Sequence, residues 1–139
     1  MSMETLHISM DKALLDIPKI HDFLTNRSYW AQGRTLEEVK RSIDNSLCFG
    51  VYDGSEQIAF ARVISDLTIT AYIMDLFVME DYRGRGIGKM LVDRIVGYPD
   101  FQGLKFMRLD TLDGHGLYRQ FGFKEVKYPD RLMERRPKA

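Results

Sequence analysis

One segment of this chain, residues 76–91, reads Leu-Phe-Val-Met-Glu-Asp-Tyr-Arg-Gly-Arg-Gly-Ile-Gly-Lys-Met-Leu and combines three local structures. Its apolar start is typical of a strand, and the apolar residues from Ile87 onward recur at helical spacing. Between them, Gly84, Gly86 and Gly88 occupy every second position, which predicts a tight turn that opens a helix. The first N–H groups of a helix lack internal partners and lie at the positive end of its dipole. The segment therefore predicts a binding site for phosphate or pyrophosphate.

Three cations, Arg83, Arg85 and Lys89, surround these glycines and favour the same ligand. The spacing excludes two common phosphate-binding motifs. A dinucleotide-binding fingerprint requires its third glycine where Lys89 stands, and a P-loop requires Ser or Thr where Met90 stands. A glycine-rich turn without a ligand is the alternative, but three alternating glycines beside three cations favour an anion site.

Length and composition limit the classes of protein to which this chain can belong. The 139 residues predict one domain spanning 1–139. Twenty basic and twenty acidic residues give a formal net charge of zero, so we expect neither a nucleic-acid partner nor a membrane partner. The single cysteine, Cys48, excludes an internal disulfide and favours a reducing, cytoplasmic location.

The pattern of elements predicts a mixed α/β sheet. Predicted strands cover His7–Met10, Leu47–Tyr52, Gln57–Ile64, Thr68–Val78, Leu104–Leu109 and Phe123–Val126, and helices start near Ile17, Thr35, Ile87 and Gly114. Leu36, Val39 and Ile43 are the expected buried face of the second helix. The strand ending at Leu109 should run parallel to the strand ending at Val78, because a helix connects them.

The Arg-Gly-x-Gly-x-Gly run at Arg83–Gly88, together with Leu-Tyr-x-x-Phe-Gly-Phe at Leu117–Phe123, resembles the GCN5-related N-acetyltransferase (GNAT) family. The resemblance extends from about Ile8 to Val126 and includes the order of elements. It implies a GNAT-like fold, a mostly antiparallel sheet flanked by helices. It also implies acetyl-CoA as co-substrate and no metal, and family members are often homodimers.

The resemblance also implies where the co-substrate binds. In the family, the turn that corresponds to Arg83–Gly88, here called the glycine turn, cradles the pyrophosphate of acetyl-CoA. The backbone of the preceding strand pairs with the pantetheine arm. The matching positions are Leu76, Phe77, Val78, Arg83, Gly84, Arg85, Gly86, Ile87, Gly88, Lys89, Thr111 and Tyr118. Many members carry Asn where Thr111 stands and Ala where Gly114 stands. Thr111 is therefore expected to replace only part of the hydrogen bonding of that Asn.

Catalytic roles follow from the same resemblance. The family's tyrosine at the position of Tyr118 protonates the leaving thiolate, and a phenol suits that task. A purely structural tyrosine in the core is the alternative. A base must also take a proton from the acceptor ammonium. Asp75, on the strand leading to the glycine turn, is the first candidate, and Asp66, Glu80 and water are the alternatives.

Substrate recognition is expected from the loop between the first two helices, which lines the acceptor pocket in the family. Trp30 is the only tryptophan and could stack on a substrate or hold a cation. Arg34 could bind a carboxylate. Arg62, a charge within a predicted apolar strand, requires a partner such as Asp66 or Asp75, or else a carboxylate ligand.

Two functions of different classes agree with these features. The first is an acetyl-CoA-dependent N-acetyltransferase that transfers the acetyl group directly to a primary amine of a small molecule or peptide, with Tyr118 as general acid. The second is a non-catalytic acyl-CoA-binding module that senses or scaffolds. Because the glycine turn and the tyrosine motif occur together, the sequence favours the enzyme.

Overall fold

The computed structural model describes residues 5–137, which form a mixed α/β fold. The strands are β1 (Leu6–Ser9), β2 (Leu47–Asp53), β3 (Glu56–Ser65), β4 (Thr70–Val78) and β5 (Phe106–Leu109), and the α-helices are α1 (Ile17–Arg27), α2 (Leu36–Asp44), α3 (Ile87–Val96) and α4 (His115–Arg119). These strands make one sheet in the order β1-β2-β3-β4-β5. Every neighbouring pair is antiparallel except β4 and β5, which are parallel and are connected through α3. The structure confirms the predicted fold class.

The first two helices begin at polar residues that cap their free N–H groups. The Asp16 carboxylate accepts the N–H of Lys19 at the start of α1. Thr35 and Glu38 form the predicted capping box of α2. None of the helices formed by residues 5–137 has the length and apolar character needed to span a membrane.

Each face of the sheet carries its own apolar cluster. On one face, α3 packs through Ile87, Leu91 and Ile95. On the other face, α1 and α2 pack against the sheet through a second cluster, whose buried members are Ile20, Phe23, Leu24, Ala31, Val39, Ile43, Cys48, Phe60 and Phe77. Leu36, which we expected in this second cluster, is 40% exposed. It is the first residue of α2, and only the later turns of that helix reach the core.

A β-bulge interrupts β4 near its C-terminal end. Two β4 residues, Asp75 and Leu76, lie opposite the single β3 residue Ala61. Asp75 has a φ of +56°, in the left-handed region that short polar side chains tolerate better than most. A bulge bends its strand, and the pairing of β4 with β5 stops just before it, at Ile73 and Leu109. Beyond this point the two strands separate.

The predicted strand Phe123–Val126 is wrong, because these residues form irregular coil with one bend. Gly122 has a φ of +88° and reverses the chain at the end of α4. The N–H of Phe123 then donates to the carbonyl of Tyr118, and the two rings pack edge to face with centres 5.8 Å apart. The segment is thus held against α4 and does not extend the sheet.

Gly50 in β2 leaves room for the ring of Tyr52, and its replacement gives a test of this packing. A Cβ at Gly50 would lie 2.5 Å from the Tyr52 hydroxyl oxygen. That hydroxyl is buried and has no hydrogen-bond partner among the described residues. We expect Gly50→Ala to lower the free energy of unfolding by about 1–3 kcal/mol through overpacking. Tyr52→Phe, which removes only the unpaired hydroxyl, should be near neutral or stabilising.

Urea unfolding of both single variants and of the double variant measures this. Because the hydroxyl is the nearest obstacle, Tyr52→Phe should restore part of the stability lost in Gly50→Ala. Strictly additive effects of the two substitutions would contradict the contact.

Candidate active site

The glycine turn places an open helix terminus at one end of the site. Gly84 and Gly86 have φ of +77° and +81°, as the sequence predicts, and Gly86 caps α3. Gly86 has no side chain to cap α3, and no side chain within residues 5–137 is seen to accept a hydrogen bond from the first turn of this helix. A Cβ at Gly84 or Gly86 would meet no atom within 4 Å, so both glycines face open space. Gly88 is helical instead, and its missing Cβ faces Leu117 of α4 at an ordinary contact distance. This terminus can accept a phosphate group without rearrangement.

The three cations of this segment are placed differently from one another. The Nε of Arg83 donates to the carbonyl of Val78 at 3.0 Å, and its guanidinium lies 6.0 Å from the ring centre of Phe23. The Arg85 guanidinium lies 5.4 Å from the ring centre of Tyr82. Lys89 is exposed on the first turn of α3. Arg83 therefore stabilises the end of β4, while Arg85 and Lys89 lie beside the helix terminus.

The separation of β4 from β5 opens a gap next to the glycine turn. Ile73 is the last β4 residue paired with β5, so Leu76, Phe77 and Val78 have no strand partner on that side among the described residues. Phe77 and Val78 remain paired with β3 on the other side. An extended ligand could therefore hydrogen-bond to the free backbone edge of β4.

A cavity of about 570 Å³ lies where the two strands separate. Its walls come from β4, from the loop after β5, from α4 and from the loop between α1 and α2. The lining residues are Tyr29, Trp30, Arg34, Tyr72, Ile73, Met74, Asp75, Leu76, Asp110, Thr111, Leu112, Asp113, Gly114, Leu117, Tyr118 and Arg136. The predicted catalytic and acceptor-binding positions, except Arg62, thus meet at one cavity.

Tyr118 lies in the wall of this cavity and is 9% exposed. Burial raises the pKa of its phenol to about 12, and neighbouring Tyr29 and Asp113 act in the same direction. Near neutral pH the phenol is therefore protonated and can donate a proton.

Thr111 and Gly114 shape the turn that carries Tyr118. The Thr111 hydroxyl accepts the N–H of Gly114 at 2.8 Å. A Cβ at Gly114 would lie 2.8 Å from that hydroxyl and 3.1 Å from the Tyr118 ring. Both departures from the common family pattern thus belong to one local arrangement, in which the glycine permits the close approach of threonine and tyrosine.

Asp75, in the β4 bulge, is the centre of a buried polar cluster. Its Oδ2 accepts hydrogen bonds from Arg34 Nη1 and Arg62 Nε, both at 2.6 Å, and its Oδ1 accepts from Trp30 Nε1 at 2.9 Å. Arg62 also donates to the hydroxyl of Ser46. The Asp75 side chain is only 1% exposed. Such a carboxylate suits a positioning role, because donors already occupy both of its oxygens.

Arg62 belongs to this cluster but does not line the cavity, whereas Trp30 and Arg34 do. Its partner is Asp75, one of the two carboxylates that the sequence suggested. The alternative bases are also engaged elsewhere. Asp66 accepts three backbone N–H groups in the β3–β4 turn, and Glu80 pairs with Arg27 at the surface.

The sequence placed Tyr29 in the expected acceptor loop without assigning it a contact, and it missed Tyr72 and Asp110 of the cavity lining. The Tyr29 hydroxyl accepts the N–H of Leu112 at 2.7 Å and so joins two loops across the cavity. Tyr72 donates to the Asp110 carboxylate at 2.5 Å. The position of Asp110, directly after the parallel strand, was a usable signal, since polar residues at that point face the gap between strands.

The family assignment rests on comparisons with known proteins. The profile of the Acetyltransferase (GNAT) family matches residues 17–123, more than half of the chain. A solved structure from Xanthomonas campestris pv. campestris, described as belonging to the GNAT family, is 46% identical with a TM-score of 0.94, covering 98% of this chain and 96% of that one. The GNAT family protein SP0256 from Streptococcus pneumoniae TIGR4 shares the fold at 22% identity, with a TM-score of 0.71 and coverage of 96% and 97%.

Among curated sequences, the uncharacterized N-acetyltransferase ycf52 of Gracilaria tenuistipitata var. liui is 36% identical over 84 residues. That match covers 55% of this chain and 46% of the relative, so the chain spans about half the length of that protein. The family profile extends from α1 through the glycine turn and Tyr118 to the end of the second motif. The chain therefore belongs to the GNAT family of acetyltransferases.

Proposed function

We propose that this protein is an N-acetyltransferase that uses acetyl-CoA to acetylate a primary amine of a small molecule or peptide. One observation carries the proposal: Tyr118 lies in the wall of a cavity that opens where β4 and β5 separate, and Leu117 in the same wall faces Gly88 in the first turn of α3. Tyr118 would serve the leaving thiolate of one ligand, the gap beside β4 would hold its pantetheine arm, and the N-terminus of α3 would hold its phosphates.

The residues present fit acetyl-CoA. The N–H groups from Gly86 to Lys89 would hold the pyrophosphate, with Arg85 and Lys89 adding positive charge. The unpaired backbone of β4 from Leu76 would hold the pantetheine arm. The thioester supplies an activated acetyl group with a thiolate leaving group.

Direct transfer requires one bond to form and one to break. The neutral amine nitrogen of the acceptor bonds to the acetyl carbon, the carbon–sulfur bond breaks, and the sulfur takes the proton of the Tyr118 hydroxyl. The nitrogen then releases a second proton, which returns through water to the Tyr118 phenolate. Before this attack, the acceptor ammonium must lose its first proton. Asp75 is engaged by three donors, so we assign it the positioning of Arg34 and Trp30, and the amine proton passes to water in the open cavity.

Ligand binding is tested by thermal unfolding with acetyl-CoA, CoA and ATP. A ligand present at 100 times its Kd adds about 2.7 kcal/mol of stability, which raises the Tm of a domain this size by several degrees. We expect a shift with acetyl-CoA and with CoA but none with ATP. Gly86→Ala should abolish the shift, because its Cβ enters the space that a phosphate needs.

Gly54→Ala is the matched control. Gly54 also has a positive φ, +62°, and also faces open space, but it lies in the β2–β3 hairpin. Its replacement carries the same kind of backbone strain and should leave the ligand shift intact. Equal loss of the shift in both variants would refute the glycine turn as the phosphate site.

Removing the Tyr118 hydroxyl tests the general acid. Tyr118→Phe should lower kcat by about 10²–10⁴-fold, because the leaving thiolate loses its proton donor. The stabilisation by acetyl-CoA should persist. Thiol release measures turnover, and Tyr128→Phe, at an exposed tyrosine outside the cavity, is the control. Stabilisation by acetyl-CoA without turnover on any amine would instead assign the chain to the non-catalytic acyl-CoA-binding class.

The raised pKa of Tyr118 predicts the pH dependence of turnover. A general acid works while it is protonated, and a pKa of about 12 keeps this phenol protonated over the usual assay range. The rate should therefore rise with pH as the acceptor amine loses its proton, without an alkaline decline between about pH 6 and about pH 10. A decline in that range that Tyr118→Phe removes would contradict the raised pKa.

A further inference from the structure

The buried cluster around Asp75 carries more positive than negative charge. One carboxylate faces two guanidiniums, those of Arg34 and Arg62, so the three side chains have a net charge of +1. Their exposures are 1% for Asp75, 8% for Arg62 and 20% for Arg34. Charge that is removed from water without a counter-ion is costly. A second anion would balance the charge of this cluster.

The excess charge faces the cavity through Arg34. Only Nη1 of its guanidinium has a hydrogen-bond partner among the described residues, namely Asp75. Arg62 is turned inward, toward Asp75 and Ser46. Arg34 thus lines the cavity with unused N–H groups, on a guanidinium that Asp75 already fixes in place.

Other acidic groups nearby do not neutralise the cluster. Glu38 is close enough for Arg34 to contribute to the lowering of its pKa, but its carboxylate is exposed and caps α2 through Thr35. Asp110 accepts a hydrogen bond from Tyr72, and Asp113 influences Tyr118. These last two carboxylates lie on the loop after β5, across the cavity from the loop that carries Arg34.

Aromatic side chains lead from the cluster to the proposed reacting centre on the other side of the cavity. Trp30 donates to Asp75 and packs edge to face with Tyr29, with ring centres 5.0 Å apart. Tyr29 in turn is near enough to Tyr118 to raise its pKa. A small molecule in this cavity can therefore reach Arg34 with one end and the Tyr118 side with the other, along an aromatic wall.

We propose that the acceptor is an amine that also carries a carboxylate, and that Arg34 binds this carboxylate as the counter-ion of the buried cluster. The inference rests on the proposed N-acetyltransferase function. A singly charged planar carboxylate matches both the net charge of +1 and the fork of a guanidinium. Arg62 and Asp75 act as positioning residues, because they hold Arg34 without touching the acceptor.

The test compares amines in pairs that differ only in the acidic group. Each pair is an amino acid and its carboxamide, drawn from α-amino acids and from longer ω-amino acids, and 2-aminoethyl phosphate is added as a phosphate-bearing amine. The protein is the full chain with acetyl-CoA, and thiol release is the readout. We expect kcat/KM for the preferred carboxylate to exceed that of its carboxamide by at least about tenfold, the size of a charge-assisted hydrogen bond.

Arg34→Gln should reduce that preference to near unity, mainly through KM, and Arg34→Lys should retain part of it because the charge remains. Arg41→Gln, at an exposed arginine in the last turn of α2, is the matched control and should keep the preference. Unfolding curves with and without acetyl-CoA establish that each variant is folded and binds the co-substrate.

Binding without turnover is measured by a second assay. Propionate should raise the Tm of the CoA-bound parent protein, and propionamide should not. If no amine is acetylated but propionate stabilises the parent and not Arg34→Gln, the enzyme proposal fails and the carboxylate site stands. If carboxamides are acetylated as well as their acids, the carboxylate site fails and the enzyme stands. Preference for the phosphate-bearing amine, or neither acetylation nor stabilisation with any carboxylate, also overturns the inference.

Discussion

The β-bulge at Asp75 is the constraint on which the site depends. One extra residue in β4 ends the pairing with β5 and so opens the gap between the two strands. The same residue points its carboxylate into the sheet face covered by α1 and α2, where Arg34, Arg62 and Trp30 donate to it. The β-bulge and the Asp75 cluster therefore form one structural unit. It creates the cavity and fixes the loop that forms part of its wall.

The Asp75 cluster adds little to the stability of the fold, which indicates a functional role. A buried carboxylate with two guanidiniums gains little net stability over an apolar core of the same volume, because desolvation opposes the Coulomb attraction. The cluster contributes by fixing the orientation of its side chains. Asp75 orients the guanidinium of Arg34 and the indole of Trp30 toward the cavity before any ligand arrives, and preorganised groups lose less entropy on binding.

The opposite wall is organised by close contacts among small and aromatic residues. Gly114 lets the Thr111 hydroxyl and the Tyr118 ring approach each other, and the chain reversal at Gly122 packs Phe123 against the same ring. Tyr118 is thereby buried, and this burial is the largest cause of the rise in its pKa. A phenol in this state stays protonated near neutral pH, as the proposed general acid must.

The local features of this chain were predictable because neighbouring residues in sequence determine them. Gly84 and Gly86 require positive φ whatever surrounds them, and Thr35 with Glu38 caps a helix from three residues away. The family motifs located the glycine turn and Tyr118 for the same reason. Where two local signals competed, prediction failed. Residues 123–126 have the composition of a strand, but the reversal at Gly122 directs them onto α4.

By itself the sequence determined the order of elements through α4, the glycine turn that opens α3 and the family, since each depends on residue types at short, fixed spacings. Only the tertiary structure decided the role of Asp75. Its partners lie 13, 41 and 45 positions away in the chain, and a bulge aims it at them. Likewise, the net positive charge behind the cavity exists only because folding brings Arg34 and Arg62 to one carboxylate. Charge balance between residues so far apart is a property of packing, which no local pattern encodes.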